Sequence, residues 1–228
     1  GDLNGALFTC FPGLSCSRPL PEGTGTANYQ ALSVNGTGNG STDWKLDTLS
    51  PDINAGLVGS FNGLDWSDTD VTLNASVNDA TSGVSYFESS LDNATWTPQT
   101  SPLTLNFSDG TRTLYLHAVD RAGNIESVQY EIKVDTQAPQ LTETITGTSG
   151  SNPWYISDVL VAIAQSDPFP SSGIQYFAYS KDGGSTWINY TAPFTLSEGV
   201  YDLQMHLVDN ADNQDLKSQE IKVDTTVP

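Results

Sequence analysis

The sequence predicts an all-β chain of tandem antiparallel sandwiches, the first of them incomplete, arranged end to end. Three observations predict this class. A string of residues returns at a fixed spacing, apolar residues alternate with polar ones, and turn signals recur every few residues. The string reads KLDTLSP at 45–51, KVDTQAP at 133–139 and KVDTTVP at 222–228, with prolines 88 and 89 residues apart. Other features keep the same phase. Trp66 matches Trp154, SGVSYFESSLDN matches SGIQYFAYSKDG, Trp96 matches Trp187, and AVDRAGN matches LVDNADN.

The elements follow from period 2. Val71, Leu73, Ala75 and Val77 alternate with polar residues, as do Leu114, Leu116 and Ala118, then Tyr130, Ile132 and Val134. Leu203, Met205 and Leu207 do the same in the next copy, followed by Ile221 and Val223. One apolar face with period 2 marks half-buried antiparallel strands. Asp-Asn, Asp-Gly-Gly, Asp-Gly, Ala-Gly-Asn and Ser-Gly separate the runs as turns. No stretch carries a helical period. The expected organisation is a partial unit at 1–50, holding only the later strands, then complete repeats at 51–138 and 139–228. A unit lacking its first strands cannot bury its own core, so a fragment of a longer array is the expectation.

Composition limits the function. Twenty-seven acidic side chains against 8 basic ones give a net charge of −19. Nucleic acid is excluded as a partner, because its phosphates call for clustered Lys and Arg. A polybasic grip on anionic lipid is excluded for the same reason. The longest apolar run, 159–164, falls far short of the roughly 18 residues of a membrane span, so no membrane insertion is expected in this segment. Ser, Thr, Asn and Gly are abundant and Lys is scarce, which fits an extracellular or cell-surface protein. Cys10 and Cys16 lie across a short polar loop, a spacing compatible with a disulfide and poor for a metal, since no His or further Cys completes a ligand set.

Several of these strings carry a resemblance. D-x-x-S-G-V, the Ser-rich strand ending in Asp-Gly-Gly, A-V-D-x-A-G-N and K-V-D-T-x-A-P resemble bacterial immunoglobulin-like repeats of large secreted and cell-surface proteins. The resemblance covers 52–228 well and 8–51 in part. It implies a seven-stranded sandwich of about 88 residues and a modular, non-catalytic role. Some relatives join a Cys pair across the hairpin where Cys10 and Cys16 fall, so the resemblance also implies a hairpin disulfide. The second copy departs from the pattern at Ala211-Asp212, where Ala-Gly is expected, which puts its tight turn in question.

Catalytic chemistry finds no support. His117 and His206 each stand three residues before an aspartate, Asp120 and Asp209, and a strand sends such a pair to opposite faces. No nucleophile elbow, zinc-protease motif or phosphate loop is present. Calcium is the stronger idea. In an immunoglobulin-like sandwich, the loop after the second strand and the loop before the last strand share a pole with the incoming linker. That gathers Asp47, Asp52, Asp79 and Asp120 at one joint, and Asp135, Asp167 and Asp209 at the next. Oxygen donors from several loops are what calcium takes. Turn capping by the same aspartates is the competing reading.

Trp96 and Trp187 follow turns and offer faces to a sugar ring, although their repetition also fits a structural rim. Trp66 and Trp154 precede strands and are expected to cover the open end of the sandwich. Lys45, Lys133 and Lys222 are expected to face solvent rather than form crosslinks. The expected function is a non-catalytic, semi-rigid stalk or adhesion scaffold with calcium at its joints. Its partners would be neighbouring repeats and a glycan or surface protein. The alternative is an accessory glycan-binding region of an extracellular hydrolase.

Overall fold

The computed structural model describes residues 2–3, 6–7, 20–33 and 36–226. Cys10 and Cys16, and with them the expected disulfide, lie outside the described residues. Among the described residues every regular element is a strand. The first four are β1 (Asp2–Leu3), β2 (Ala6–Leu7), β3 (Gly23–Ser33) and β4 (Gly36–Leu46). They form one sheet in the order β2-β1-β3-β4, dominated by the long β3–β4 hairpin.

Two sets of eight strands follow. The first comprises β5 (Asp52–Val58), β6 (Trp66–Ser67), β7 (Val71–Asn78), β8 (Val84–Ser90), β9 (Thr97–Pro98), β10 (Leu103–Phe107), β11 (Gly110–Asp120) and β12 (Ile125–Val134). The second comprises β13 (Gln140–Thr146), β14 (Trp154–Tyr155), β15 (Val159–Ser166), β16 (Ile174–Ser180), β17 (Ile188–Asn189), β18 (Phe194–Leu196), β19 (Gly199–Asp209) and β20 (Gln214–Val223). Each set makes a three-stranded and a five-stranded sheet with the same strand order: β10-β7-β5 and β6-β12-β11-β8-β9, then β13-β15-β18 and β14-β20-β19-β16-β17. Tandem β-sandwiches are therefore the architecture.

The chain divides into two compact units. One holds residues 1–56, 74–104 and 113–130, and the other holds 57–73, 105–112 and 131–228. The second contains a continuous core. Leu141, Val159, Val161 and Leu196 come from its three-stranded sheet, and Phe177, Leu203, Met205, Leu207 and Ile221 from its five-stranded sheet. These are the period-2 positions, and burying each such side chain is worth about 1.5–3 kcal/mol. The matching residues Val71, Leu73, Leu114, Leu116, Ala118, Ile132 and Val134 are buried in the preceding set.

Trp66 and Trp154 each begin a two-residue edge strand that pairs in parallel with the last strand of its set, Trp66 with Lys133 and Trp154 with Lys222. The turn after β19 forms without glycine. Asp212 takes the left-handed φ of 70° where the preceding copy has Gly123 at 98°. The same closing bond is made in both, Asp120 N–H and Asp209 N–H each donating across the turn to the carbonyl of Asn124 or Asn213 at 3.1 Å. Aspartate tolerates this region better than most residues, but still at a cost. Lys133 and Lys222 are partly exposed and pair with Glu131 at 3.4 Å and Glu220 at 2.7 Å.

Replacing Asp212 by Gly is therefore expected to raise stability by about 0.5–1 kcal/mol, and Gly123→Ala to lower it by about 1 kcal/mol. Urea denaturation monitored by tryptophan fluorescence checks both.

Candidate metal centres

A register irregularity marks the end of each central strand pair. The β11–β8 pairing shifts between Val119 and Asp120, and the β19–β16 pairing shifts between Ile174 and Tyr176, opposite Asp209. Such a bulge re-aims a strand-end side chain. Asp120 and Asp209 are 2% and 0% exposed as a result.

Each meets two further aspartates. Asp47, Asp79 and Asp120 bring carboxylate oxygens within 4.8 Å of one another, and so do Asp135, Asp167 and Asp209. The first group lies wholly in one compact unit and the second wholly in the other. In each, one aspartate comes from the linker, one from the loop after β7 or β15, and one from the hairpin before the last strand. Asp52, expected with them, opens β5 at an exposed position and is not a member of the group.

Turn capping is present in both groups. Asp79 Oδ1 accepts from the N–H groups of Thr81, Ser82 and Gly83 at 3.2, 2.9 and 2.5 Å. Asp120 Oδ1 accepts from Ala122, Gly123 and Asn124 at 2.8, 2.6 and 2.8 Å. Asp209 Oδ1 accepts from Ala211 and Asn213 at 2.8 and 2.9 Å. Asp167 Oδ2 accepts from Gly173 N–H at 2.7 Å.

The linker aspartate does more than cap its own turn. Asp47 Oδ2 accepts from Ser82 N–H at 2.9 Å, and Asp135 Oδ2 accepts from Ser172 N–H at 2.6 Å. Two asparagines complete the tie. The Asn124 side-chain amide donates to the carbonyls of Asp47 and Leu49, both at 3.1 Å, and to Asp120 Oδ2 at 2.8 Å. The Asn213 amide donates to the Asp135 carbonyl at 2.8 Å and to Asp209 Oδ2 at 2.9 Å. Sequence reading passed over both asparagines, which look like ordinary turn residues. Their identical place in the two repeats was the signal.

The groups differ electrostatically. Burial pushes the Asp167 carboxyl above the usual range, the Gly173 N–H works against it, and the charges of Asp135 and Asp209 add to the rise. Asp209 is raised too, by burial first, against the bonds from Asn213 and Ala211, with the Asp135 charge contributing. Asp120 goes the other way. Burial opposes its charge, but the bonds from Asn124, Gly123 and Ala122 together outweigh burial and hold it low. Asp167 Oδ1 is also buried without a hydrogen-bond partner. Beside the first group a cleft of about 580 Å³ carries both Lys45 and Arg121, and Asn210 stands where Arg121 would be in the second copy. Three close carboxylates, one with an orphaned oxygen and two held above their usual range, form an environment that a cation relieves.

The aspartates of the Asp-Asn and Asp-Gly-Gly turns serve their turns alone. Thr186 and Ser180 hydroxyls hold Asp182 down to about 2. The backbone N–H groups of Thr95 and Ala94, with the Ser90 and Thr95 hydroxyls, hold Asp92 well below the usual carboxylate range.

Comparison with known proteins adds little beyond this geometry. No protein-family model matches the chain, and no curated protein does. Among solved structures, the chain is similar to the fibronectin(III)-like modules of Clostridium thermocellum CbhA, at 18% identity and a TM-score of 0.34, covering 69% of this chain and 87% of that one. It is also similar to a tetra-tandem repeat in the extending region of a large adhesion protein, at 15% identity and a TM-score of 0.32. That match covers 90% of this chain, which spans 58% of the repeat segment's length.

The raised pair gives a pH test. A carboxyl raised in the folded state contributes stability that is full below its unfolded value near 3.8 and is lost as pH rises through the folded value. Asp167→Asn keeps an acceptor for Gly173 and deletes the charge. In chelator it is expected to melt above the wild type at pH 7, with the gap closing as pH falls towards 3.8. Thermal melts across pH check it.

Proposed function

We propose that the chain is a non-catalytic repeat region of an extracellular or cell-surface protein, a spacer whose joints are fixed by the linker aspartates and stiffened by calcium. The observation that carries this reading is the repetition of one joint. Asp47 and Asp135 reach the loop of the following repeat in the same way, and Asn124 and Asn213 bind back to the linker carbonyls. A joint whose linker-aspartate and asparagine bonds recur in both copies serves a mechanical need, whereas a catalytic site needs to occur only once. In the second joint, Thr136 N–H donates to Asp109 Oδ1 at 2.9 Å and the Asn62 amide donates to the Asn210 carbonyl at 2.8 Å, adding fixed points around it.

Among the described residues no helix is long and apolar enough to cross a membrane. The acidic surface, the repeat architecture and the glycine-rich and serine-rich composition support display outside the cell, with neighbouring repeats as the first partners. A glycan or a surface protein is the ligand class that the polar, aromatic-bearing outer faces suit.

Calcium fits both joints through hard carboxylate oxygens with further backbone carbonyls close by. The second joint is expected to bind it more tightly, because Arg121 and Lys45 neutralise part of the first. Isothermal titration of the chelator-treated chain is expected to show two classes of site, with Asp209→Asn abolishing the tighter one and Arg121→Asn strengthening the weaker. The reading of calcium joints is overturned if no heat of binding appears and the melting temperature is the same in calcium and in chelator.

A further inference from the structure

The two repeats carry the same aromatic cluster on the outer face of the five-stranded sheet, but finish it differently. In the later repeat, His206 lies between Tyr176 and Trp187, with ring centroids 5.7 Å from each. His206 Nε2–H donates to Gln214 Oε1 at 3.0 Å, so the imidazole is capped. Leu216 is its cross-strand partner. In the earlier repeat, His117 lies 6.0 Å from Tyr86 and 5.3 Å from Trp96. The position of Gln214 is Ile125, that of Leu216 is Ser127, and that of Ala178 is Glu88.

These three exchanges change the chemistry. His117 Nδ1 sits 3.3 Å from Glu88 Oε1, which orients the ring. Nε2 is left buried without a hydrogen-bond partner, because the isoleucine side chain offers neither donor nor acceptor. A buried polar atom without a partner costs about 1–3 kcal/mol, and a functional site is one reason to keep one. The serine that replaces leucine leaves a cleft of about 510 Å³ beside the ring, walled by Trp96 and Tyr115 and edged by Asn93, Ser127 and Gln129. No lysine or arginine lines it.

We propose that this cleft binds a neutral saccharide, and that its counterpart in the later repeat does not. An aromatic wall takes the apolar face of a pyranose ring. Amide, hydroxyl and imidazole groups then take its hydroxyls. A net charge of −19 and the absence of a cationic side chain in the lining argue against an anionic ligand. The Trp96 ring stands against the imidazole, so a sugar hydroxyl reaches Nε2 by shifting that ring. Tryptophan emission therefore reports the event. The later repeat is the built-in control, because Gln214 already satisfies the nitrogen that a sugar would seek. This inference stands apart from the calcium joints, since none of the six clustered aspartates belongs to the cleft.

The test titrates the chain with cellohexaose, xylohexaose, mannohexaose and galactohexaose, following tryptophan fluorescence and the His117 ring nitrogens by NMR. At least one of the four is expected to give saturable binding that moves the His117 Nε2 resonance and leaves His206 unmoved. Ile125→Gln, which copies the cap of the later repeat, is expected to weaken binding about ten-fold. Trp96→Ala is expected to abolish it, with circular dichroism confirming the fold. The double change Gln214→Ile and Leu216→Ser is expected to create a second site. Saturation by none of the four sugars overturns the proposal, as does binding that Ile125→Gln leaves unchanged or that moves His206 instead.

Discussion

The structure turns on a carboxylate that accepts hydrogen bonds from two repeats at once. Asp135 is fully buried, caps its own linker turn through Gln137 N–H at 3.1 Å and takes Ser172 N–H from the loop beyond at 2.6 Å. A charge-assisted bond to a backbone N–H is stronger and shorter than a neutral one, and here it crosses a joint rather than closing a helix or turn. Everything at the pole is arranged around it. Asn213 secures the linker carbonyl, Asp209 orients Asn213, and the bulge beside Asp209 aims that side chain inward. The same order of dependence runs through Asp47, Asn124 and Asp120.

This arrangement concentrates negative charge where water is scarce. In the first joint the hydrogen bonds outweigh burial and keep Asp120 low. In the second, burial outweighs the hydrogen bonds, and Asp167 and Asp209 rise. One sequence pattern therefore gives two electrostatic outcomes. The exchange of Arg121 for Asn210 runs in the same direction, removing a positive charge from the joint whose carboxyls are already harder to ionise.

The sandwich was legible in the sequence because burial follows period 2. Val71, Leu73 and Ala75 face the core, as their alternation implies, and so do Leu203, Met205 and Leu207. The convergence of six aspartates was legible because a repeat preserves phase, and phase assigns each loop to a pole. Asp52 was misplaced because proximity in the linker was taken for direction, whereas the first residue of β5 points to solvent. The short edge strands at Trp66 and Trp154 were hidden, since two residues carry no period. The turn at Asp212 shows the limit of reading glycine as a requirement. Hydrogen bonds to Asp209 hold the turn, and the backbone accepts the left-handed residue.

Those short edge strands have a mechanical meaning. Trp154 and Tyr155 belong to the early part of their repeat, yet they pair in parallel with Lys222 and Val223 near its end. Tension applied along the chain at the two ends of a repeat pulls these strands in opposite directions along their own axes. Their hydrogen bonds, with the Asp224 N–H donating to the Tyr155 carbonyl at 2.9 Å, are then loaded together in shear instead of opening one after another. Trp66 and Lys133 place the same clasp in the preceding repeat, where the Asp135 N–H donates to the Ser67 carbonyl at 2.9 Å. A few backbone bonds at the edge of each sheet are thus oriented to share such a load along their length.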